Sequence, residues 1–390
     1  MNQGKTVFAQ MMAFLPHAEL QRCVDRYAGN YKVKEFTCHD QFLSMAFAQV
    51  TYRESLRDLV SCLAAKPDSL YHMGIRCRPT RNNLANANAS RNWRIYADLA
   101  AALVRTAQQM YGNTPIPGVD LSEPVYALDS TTIDLCLNLF PWARFRRTKA
   151  AIKLHTLLDI RCQVPAFIHI SDGKMHDLKG LDHIPIEPGS YYVMDRGYLD
   201  FNRLFAINQG LAFFVTRAKV NMDFRRIKSS PVDRTCGLRS DQLIRLCGPK
   251  SRHLYPIPMR RVSYRDPELG KSIVAITNNT KLPPLVIADL YKSRWQIESF
   301  FRWIKQNLRI RQFFGTSPNA VKTQVWIAVC VYVLAVITHR QLRIDMSLSQ
   351  MLQIASITPF EKVPLLQLVT TEKKNLLDIC SHNQLLLNTR

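Results

Sequence analysis

The spacing of apolar positions changes along the chain, and the changes divide it. In FTCHDQFLSMAFAQVTYRESLRDLVSCL, within residues 1–80, apolar residues recur at three- and four-residue intervals, the period of one helix face. Residues 81–112 keep that period until GNTPIPGVDLSEP, from Gly112 to Pro124, breaks it with Gly and Pro. From Val125 the texture becomes short apolar runs with turn formers between or after them: VYALDSTTIDL, AAIKLHTLLDI and VPAFIHI read as three consecutive strands. SYYVMD and AFFVT follow, and the helical-looking DFNRLFAINQG between them makes a strand–helix–strand crossover.

A three-strand meander followed by parallel crossovers is the order of a ribonuclease H-like core. Residues 218–280 are rich in Arg and Lys, are interrupted by Pro231, Pro249, Pro256, Pro258 and Pro267, and end in the strand-like SIVAITN, which reads as a β-rich insertion. The helical pattern resumes at Pro283, runs to about Arg311, and returns over residues 316–390. The expected fold is α/β: a ribonuclease H-like core at 123–315 with a β-rich insertion at 218–280. A helical region at 1–80 and a helical linker at 81–122 precede it, and a C-terminal helical region at 316–390 follows.

Composition narrows the function. In 390 residues, 52 Lys plus Arg against 30 Asp plus Glu leave a formal charge of +22, which points to a polyanionic partner. Nucleic acid fits better than an anionic membrane, because the basic residues are dispersed and do not follow a hydrophobic anchor. The longest apolar run, Val325 to Ile337, is too short to span a bilayer and reads as a buried helix. The N-terminus lacks the features of a secretory signal, so a cytosolic location is expected. Ten cysteines without CxxC pairs are expected to be mostly small core residues in a reducing compartment. Cys236, Cys247 and His253 share one basic stretch, but their spacing fits no familiar zinc site.

Two carboxylates stand out by position. Asp129 ends the apolar run VYALD, and Asp195 ends YYVMD. A carboxylate at the end of a hydrophobic strand is costly to desolvate unless it is paired or binds a cation, so the two invite a shared metal site, although either alone is an ordinary strand-end residue. The third piece is YKSRWQIESFFRWIK, where Tyr291, Arg294, Glu298 and Lys305 follow one another at intervals of three, four and seven residues. On a helix these four fall within a stripe about 60° wide, with Ile297, Phe301, Ile304 and Leu308 on an adjoining apolar stripe. Alone, Arg294 and Glu298 would be an ordinary surface pair. After two strand-end aspartates in a basic chain, Glu298 stands where a ribonuclease H-like fold supplies its last acid.

The segments ALDSTTIDL and VMDRGY, with Tyr291-x2-Arg294-x3-Glu298-x6-Lys305, resemble the three motif blocks of IS4-family transposases, the Tyr-Arg-Glu-Lys signature included. KLHTLLDIRCQVPAFIHISDGKMHD, from Lys153 to Asp177, is also similar to members of the group. The first 75 residues resemble an N-terminal domain often fused to these enzymes, and residues 1–80 are expected to be a DNA-binding or accessory domain. The resemblance implies a transposase of a bacterial insertion sequence that cleaves DNA at the element's ends and joins the 3′-OH ends to target DNA. A related nuclease or junction resolvase, or a catalytically silent descendant, would share parts of this pattern.

The resemblance further implies that Asp129, Asp195 and Glu298 hold two Mg2+ ions, with Mn2+ able to substitute. Two such ions about 4 Å apart clamp the attacking and leaving oxygens of an in-line displacement. Arg294 and Lys305 would suit phosphate positioning or charge stabilisation, and Tyr291 a hydrogen bond to phosphate; the plainer role for all three is packing and orientation of Glu298. Arg225, Arg226 and Lys228, beside Arg217 and Lys219, form one basic segment, and Arg146 and Arg147, beside Arg144 and Lys149, a second. Both are candidates for DNA backbone contact. The insertion holds no Trp to stack on a displaced base, which leaves Phe224, Tyr255 and Tyr264 as weak candidates. Synapsis of two ends would need at least a homodimer on double-stranded DNA, nucleoid-associated when bound.

Overall fold

The computed structural model describes residues 4–112, 114–116, 118–266, 270–307 and 313–370. Among them the chain opens with helices α1 (Val7–Met12), α2 (His17–Arg26), α3 (Cys38–Val50), α4 (Leu56–Ala64), α5 (Pro67–His72), α6 (Arg81–Ser90) and α7 (Arg94–Tyr111). Strands β1 (Val125–Leu135), β2 (Arg144–Arg146), β3 (Lys149–Asp159) and β4 (Val164–Asp172) come next, then α8 (Asp177–Gly180), β5 (Tyr191–Met194), α9 (Phe201–Gln209) and β6 (Phe213–Arg217). The segment that follows holds β7 (Phe224–Ser230), β8 (Leu238–Leu246), α10 (Pro249–Leu254), β9 (Met259–Arg265) and β10 (Ser272–Thr277). Helices α11 (Pro284–Ser293), α12 (Trp295–Asn307), α13 (Pro318–Gln341) and α14 (Leu348–Ile357) complete the described part. Two compact units result, residues 108–302 and residues 1–107 with 303–390.

In the unit of residues 108–302, β1, β3 and β4 pair antiparallel in sequence, and β5 and β6 join β1 in parallel. The resulting order β4-β3-β1-β5-β6 is that of a ribonuclease H-like core. Helix α9 makes the crossover from β5 to β6, as a parallel pair requires. Apolar residues at alternate positions of β1 (Tyr126, Leu128) and β5 (Tyr192, Met194) share one core with Phe214 of β6 and Leu204 and Ile207 of α9. Burying each large side chain of that set stabilises the fold by about 1.5–3 kcal/mol.

The insertion is β-rich, with one short helix, α10. Its strands form the antiparallel series β7-β8-β9-β10, and β10 pairs β6, so the insertion extends the central sheet. Tyr255 is fully buried against Phe205 and Phe214. Tyr264 is 4% exposed. Both expectations of base stacking are therefore corrected: these rings fill the core of the unit. Phe224 is half-buried, with the Arg261 guanidinium 5.3 Å from its ring centre.

The other unit gathers the early helices with α13 and α14, where the sequence pattern suggested separate N- and C-terminal regions. Helix α3 begins with a capping box, Thr37 and Asp40 satisfying each other's backbone N–H groups, and is buried along its length. Helix α13 is capped by Ser317 and packs against α3, α6 and α14. Its 24 residues exceed the apolar run seen in the sequence and are long and apolar enough to cross a membrane, yet 89% of its most apolar stretch is buried. It is a core helix, as the run was read. Residues 371–390 lie outside the described residues.

Candidate active site

Strand register brings the two aspartates together. Leu128 pairs with Met194 in the parallel β1–β5 ladder, so Asp129 and Asp195 are the next residues on neighbouring strands, whose backbones run roughly 4.8 Å apart. Asp129 Oδ1 accepts the Ser130 N–H at 2.8 Å. Burial pushes the Asp129 carboxyl up to about 6, helped by the charges of Glu298 and Asp195 and opposed by the Ser130 N–H and Arg294. Asp195 precedes a turn of 3-10 helix, Arg196–Tyr198, and its carbonyl accepts from Thr216 Oγ at 3.2 Å.

Helices α11 and α12 bring the remaining groups. The Tyr291 hydroxyl donates to Asp195 Oδ1 at 3.2 Å. Arg294 Nη2 donates to Glu298 Oε1 at 2.7 Å, and its Nη1 lies 3.8 Å from Asp129 Oδ2. The Arg294 side chain is only 14% exposed, so its guanidinium links two of the three acids in a poorly solvated place, where a charge pair counts for more than on the surface. Burial works against the Arg294 charge, and the bond to Glu298 holds it in place.

A single continuous helix through the motif is corrected. Helix α11 ends at Ser293 and α12 begins at Trp295, with Arg294 between them. The Ser293 hydroxyl takes the Leu290 carbonyl at 2.7 Å, competing with the backbone ladder at the break. The apolar stripe packs as expected: Ile297, Phe301 and Ile304 are buried, while Leu308 and the helix end near Arg311 lie outside the described residues. Lys305 is half-buried on the last turn of α12, a part of the chain that belongs to the other unit.

The three acids are within electrostatic reach of one another, but among the described residues no three His, Cys, Asp or Glu side chains are gathered closely enough to hold an ion. Their chemistry nevertheless suits a hard divalent cation: the donors are all carboxylate oxygens, and Asp129 is desolvated, with the Arg294 guanidinium 3.8 Å from its Oδ2 and not in hydrogen-bond contact. Arg225, Arg226 and Lys228 are exposed on β7, the strand at one edge of the sheet, with Arg225 opposite Arg245 of β8. Like charges in that position repel unless a polyanion neutralises them. Arg146 on β2 and Arg147 in the turn after it are also exposed.

Sequence reasoning passed over Ser130, Lys153 and Asp177. Ser130 Oγ donates to Asp177 Oδ1 at 2.6 Å, and Lys153 Nζ lies 3.0 Å from the same oxygen. A lysine inside the apolar strand AAIKLHTLLDI was the available signal.

Residues 120–334 match the family model described as Transposase DDE domain, and residues 3–76 match a domain of unknown function, DUF4372. The chain is 35% identical over 289 residues to a putative transposase, y4zB, of Sinorhizobium fredii, covering 73% of this chain and 78% of that protein. It is 32% identical over 222 residues to a probable transposase for insertion sequence element IS5377 of Geobacillus stearothermophilus, 54% of this chain and 56% of that one. A putative transposase for insertion sequence element IS4SA of Synechocystis is 23% identical over 215 residues, 54% of this chain and 59% of that one.

Proposed function

The chain belongs to the DDE transposase family and is an insertion-sequence enzyme that cleaves DNA and transfers strands; we propose that Asp129, Asp195 and Glu298 are its catalytic acids. The observation that carries this reading is the Leu128–Met194 register, which sets Asp129 beside Asp195, together with Arg294, which ties Asp129 to Glu298.

The family depends in general on divalent metal. In this reading the three carboxylates would hold two Mg2+ ions, which would supply charge stabilisation to an in-line displacement at phosphorus. The chain's own residues do the rest. Tyr291 holds Asp195 through its hydroxyl, and Arg294 stands between Asp129 and Glu298 and orients them before DNA arrives. Once DNA is bound, Arg294, Tyr291 and Lys305 are suited to phosphate oxygens, Arg as a planar fork and Lys as a mobile point charge. Arg225, Arg226 and Lys228 on β7, with Arg146 and Arg147, contact the DNA backbone.

In the first step water attacks a phosphodiester at the element's end, and a 3′-OH leaves. In the second that 3′-OH attacks a target phosphodiester, forming a new P–O bond while a target 3′-OH departs. Two ends must be held together, so the enzyme works as a homodimer or larger assembly on double-stranded DNA, in the cytosol and on the nucleoid. The test is incubation with a plasmid that carries the element's own ends. Mg2+-dependent cuts at both ends, followed by joined products on a gel, are expected; cleavage that persists in excess EDTA would overturn the metal-ion chemistry.

A further inference from the structure

A second polar cluster lies against Asp129. Lys153, on β3, is 12% exposed at its side chain, and its Nζ donates to the Met175 carbonyl at 2.8 Å as well as pairing with Asp177. A lysine this deep needs a fixed counter-charge, and Asp177 at the start of α8 supplies one. Burial works against the Asp177 charge, but the bonds from Ser130 and Lys153 outweigh it and hold its carboxyl below the usual range. The approach of α8 to β3 is itself close: a Cβ added at Gly180 would stand 2.6 Å from His155 Nδ1.

Ser130 connects this cluster to the acids. Its hydroxyl is anchored on Asp177 while its backbone N–H holds Asp129 Oδ1, which leaves Oδ2 on the side of Arg294. Two fixed ends make Ser130 a strut. We propose that Asp177 and Lys153 are positioning residues that, through Ser130, set the orientation in which Asp129 presents its free oxygen to a divalent cation. The inference rests on Asp129 being a metal ligand. Groups one bond removed from a ligand commonly change metal affinity about 10- to 100-fold when replaced.

The test counts free Mn2+ by electron paramagnetic resonance as it is titrated into the full chain bound to its element's end. Asp177→Asn and Asp177→Ala are expected to raise the half-saturating Mn2+ about 10- to 100-fold, with end-DNA affinity unchanged and cleavage recovering at high Mn2+. The Asp177→Leu/Lys153→Met pair, which replaces the ion pair by apolar groups, separates positioning from fold support. It is expected to melt near the wild-type temperature and still to bind Mn2+ weakly, because Ser130 has lost its anchor. Wild-type half-saturation in the folded Asp177 variants, or in the apolar pair, would overturn the proposal. Asp129→Asn distinguishes the two levels: if it leaves Mn2+ binding intact, the metal-site reading itself fails. If it abolishes binding while the Asp177 variants behave as wild type, only the positioning role falls.

Discussion

At the scale of single residues, the site is a set of charges that hold one another in a place where none would be stable alone. Arg294 does this for Asp129 and Glu298, and Lys153 for Asp177. His155 shows the opposite case, a titratable group buried without a counter-charge in contact. It is 1% exposed, its Nδ1 has no hydrogen-bond partner among the described residues and its Nε2 meets Ser171 Oγ at 3.0 Å. Burial lowers its pKa to about 4, an effect that Asp177 opposes and that Lys153, His169 and His183 reinforce. The folded chain therefore keeps His155 neutral where the unfolded chain, with a pKa near 6.5, already takes up a proton. The stability it contributes is fully present above pH 6.5 and is lost as pH falls toward 4, on the order of 3 kcal/mol in all. Urea unfolding at pH 7 and pH 4.5 should show a smaller pH-dependent loss in His155→Gln than in wild type; equal losses would contradict the assignment. The two aspartates were conspicuous in the sequence because each follows four apolar residues, but only Asp195 ends its strand; Asp129 lies inside β1, where the pairing with β5 stops and the pairing with β3 continues. Asp177 was not, because its partners Ser130 and Lys153 are brought to it only by the fold.

At the scale of elements, the meander, the crossover and the β-rich character of the insertion were legible from residue period and turn formers. What the pattern did not show was how far the sheet extends. The β10–β6 pairing joins strands separated by β7, β8 and β9, and no local periodicity reports such a pairing. The interruption at Arg294 was hidden for a similar reason, since no Gly or Pro marks it and Arg294 keeps helical backbone angles. Strand β7 carries the element-scale prediction. Its exposed Arg225, Arg226 and Lys228 lie on the sheet edge, so neutralised phosphates would release counterions. Replacing all three by Ala should flatten the slope of log affinity against log salt by up to about three units if each touches a phosphate. An unchanged slope would return them to a solvated face.

At the scale of the whole molecule, a formal charge of +22 and acids from two neighbouring strands and a helix of a ribonuclease H-like fold fit a DNA-processing enzyme, and membership of the DDE transposase family agrees. Charge and motif spacing were open to sequence reading; the grouping of early helices with α13 and α14 was not, because contacts between the two ends of a chain leave no period in it. The measurement that bears most directly on the catalytic assignment is a paired gel-shift and cleavage assay on one preparation of Glu298→Gln. Gln keeps the size of Glu and its fitness for α12, and it removes the charge that faces Arg294 and would help hold a cation. End cleavage and strand transfer should both be abolished while binding to the element's end stays largely intact, and Glu361→Gln, an exposed acid outside the motif, should behave as wild type. Near-normal cleavage by the Glu298 variant, or an equal loss in the Glu361 control, would contradict the assignment of Asp129, Asp195 and Glu298 as the catalytic acids.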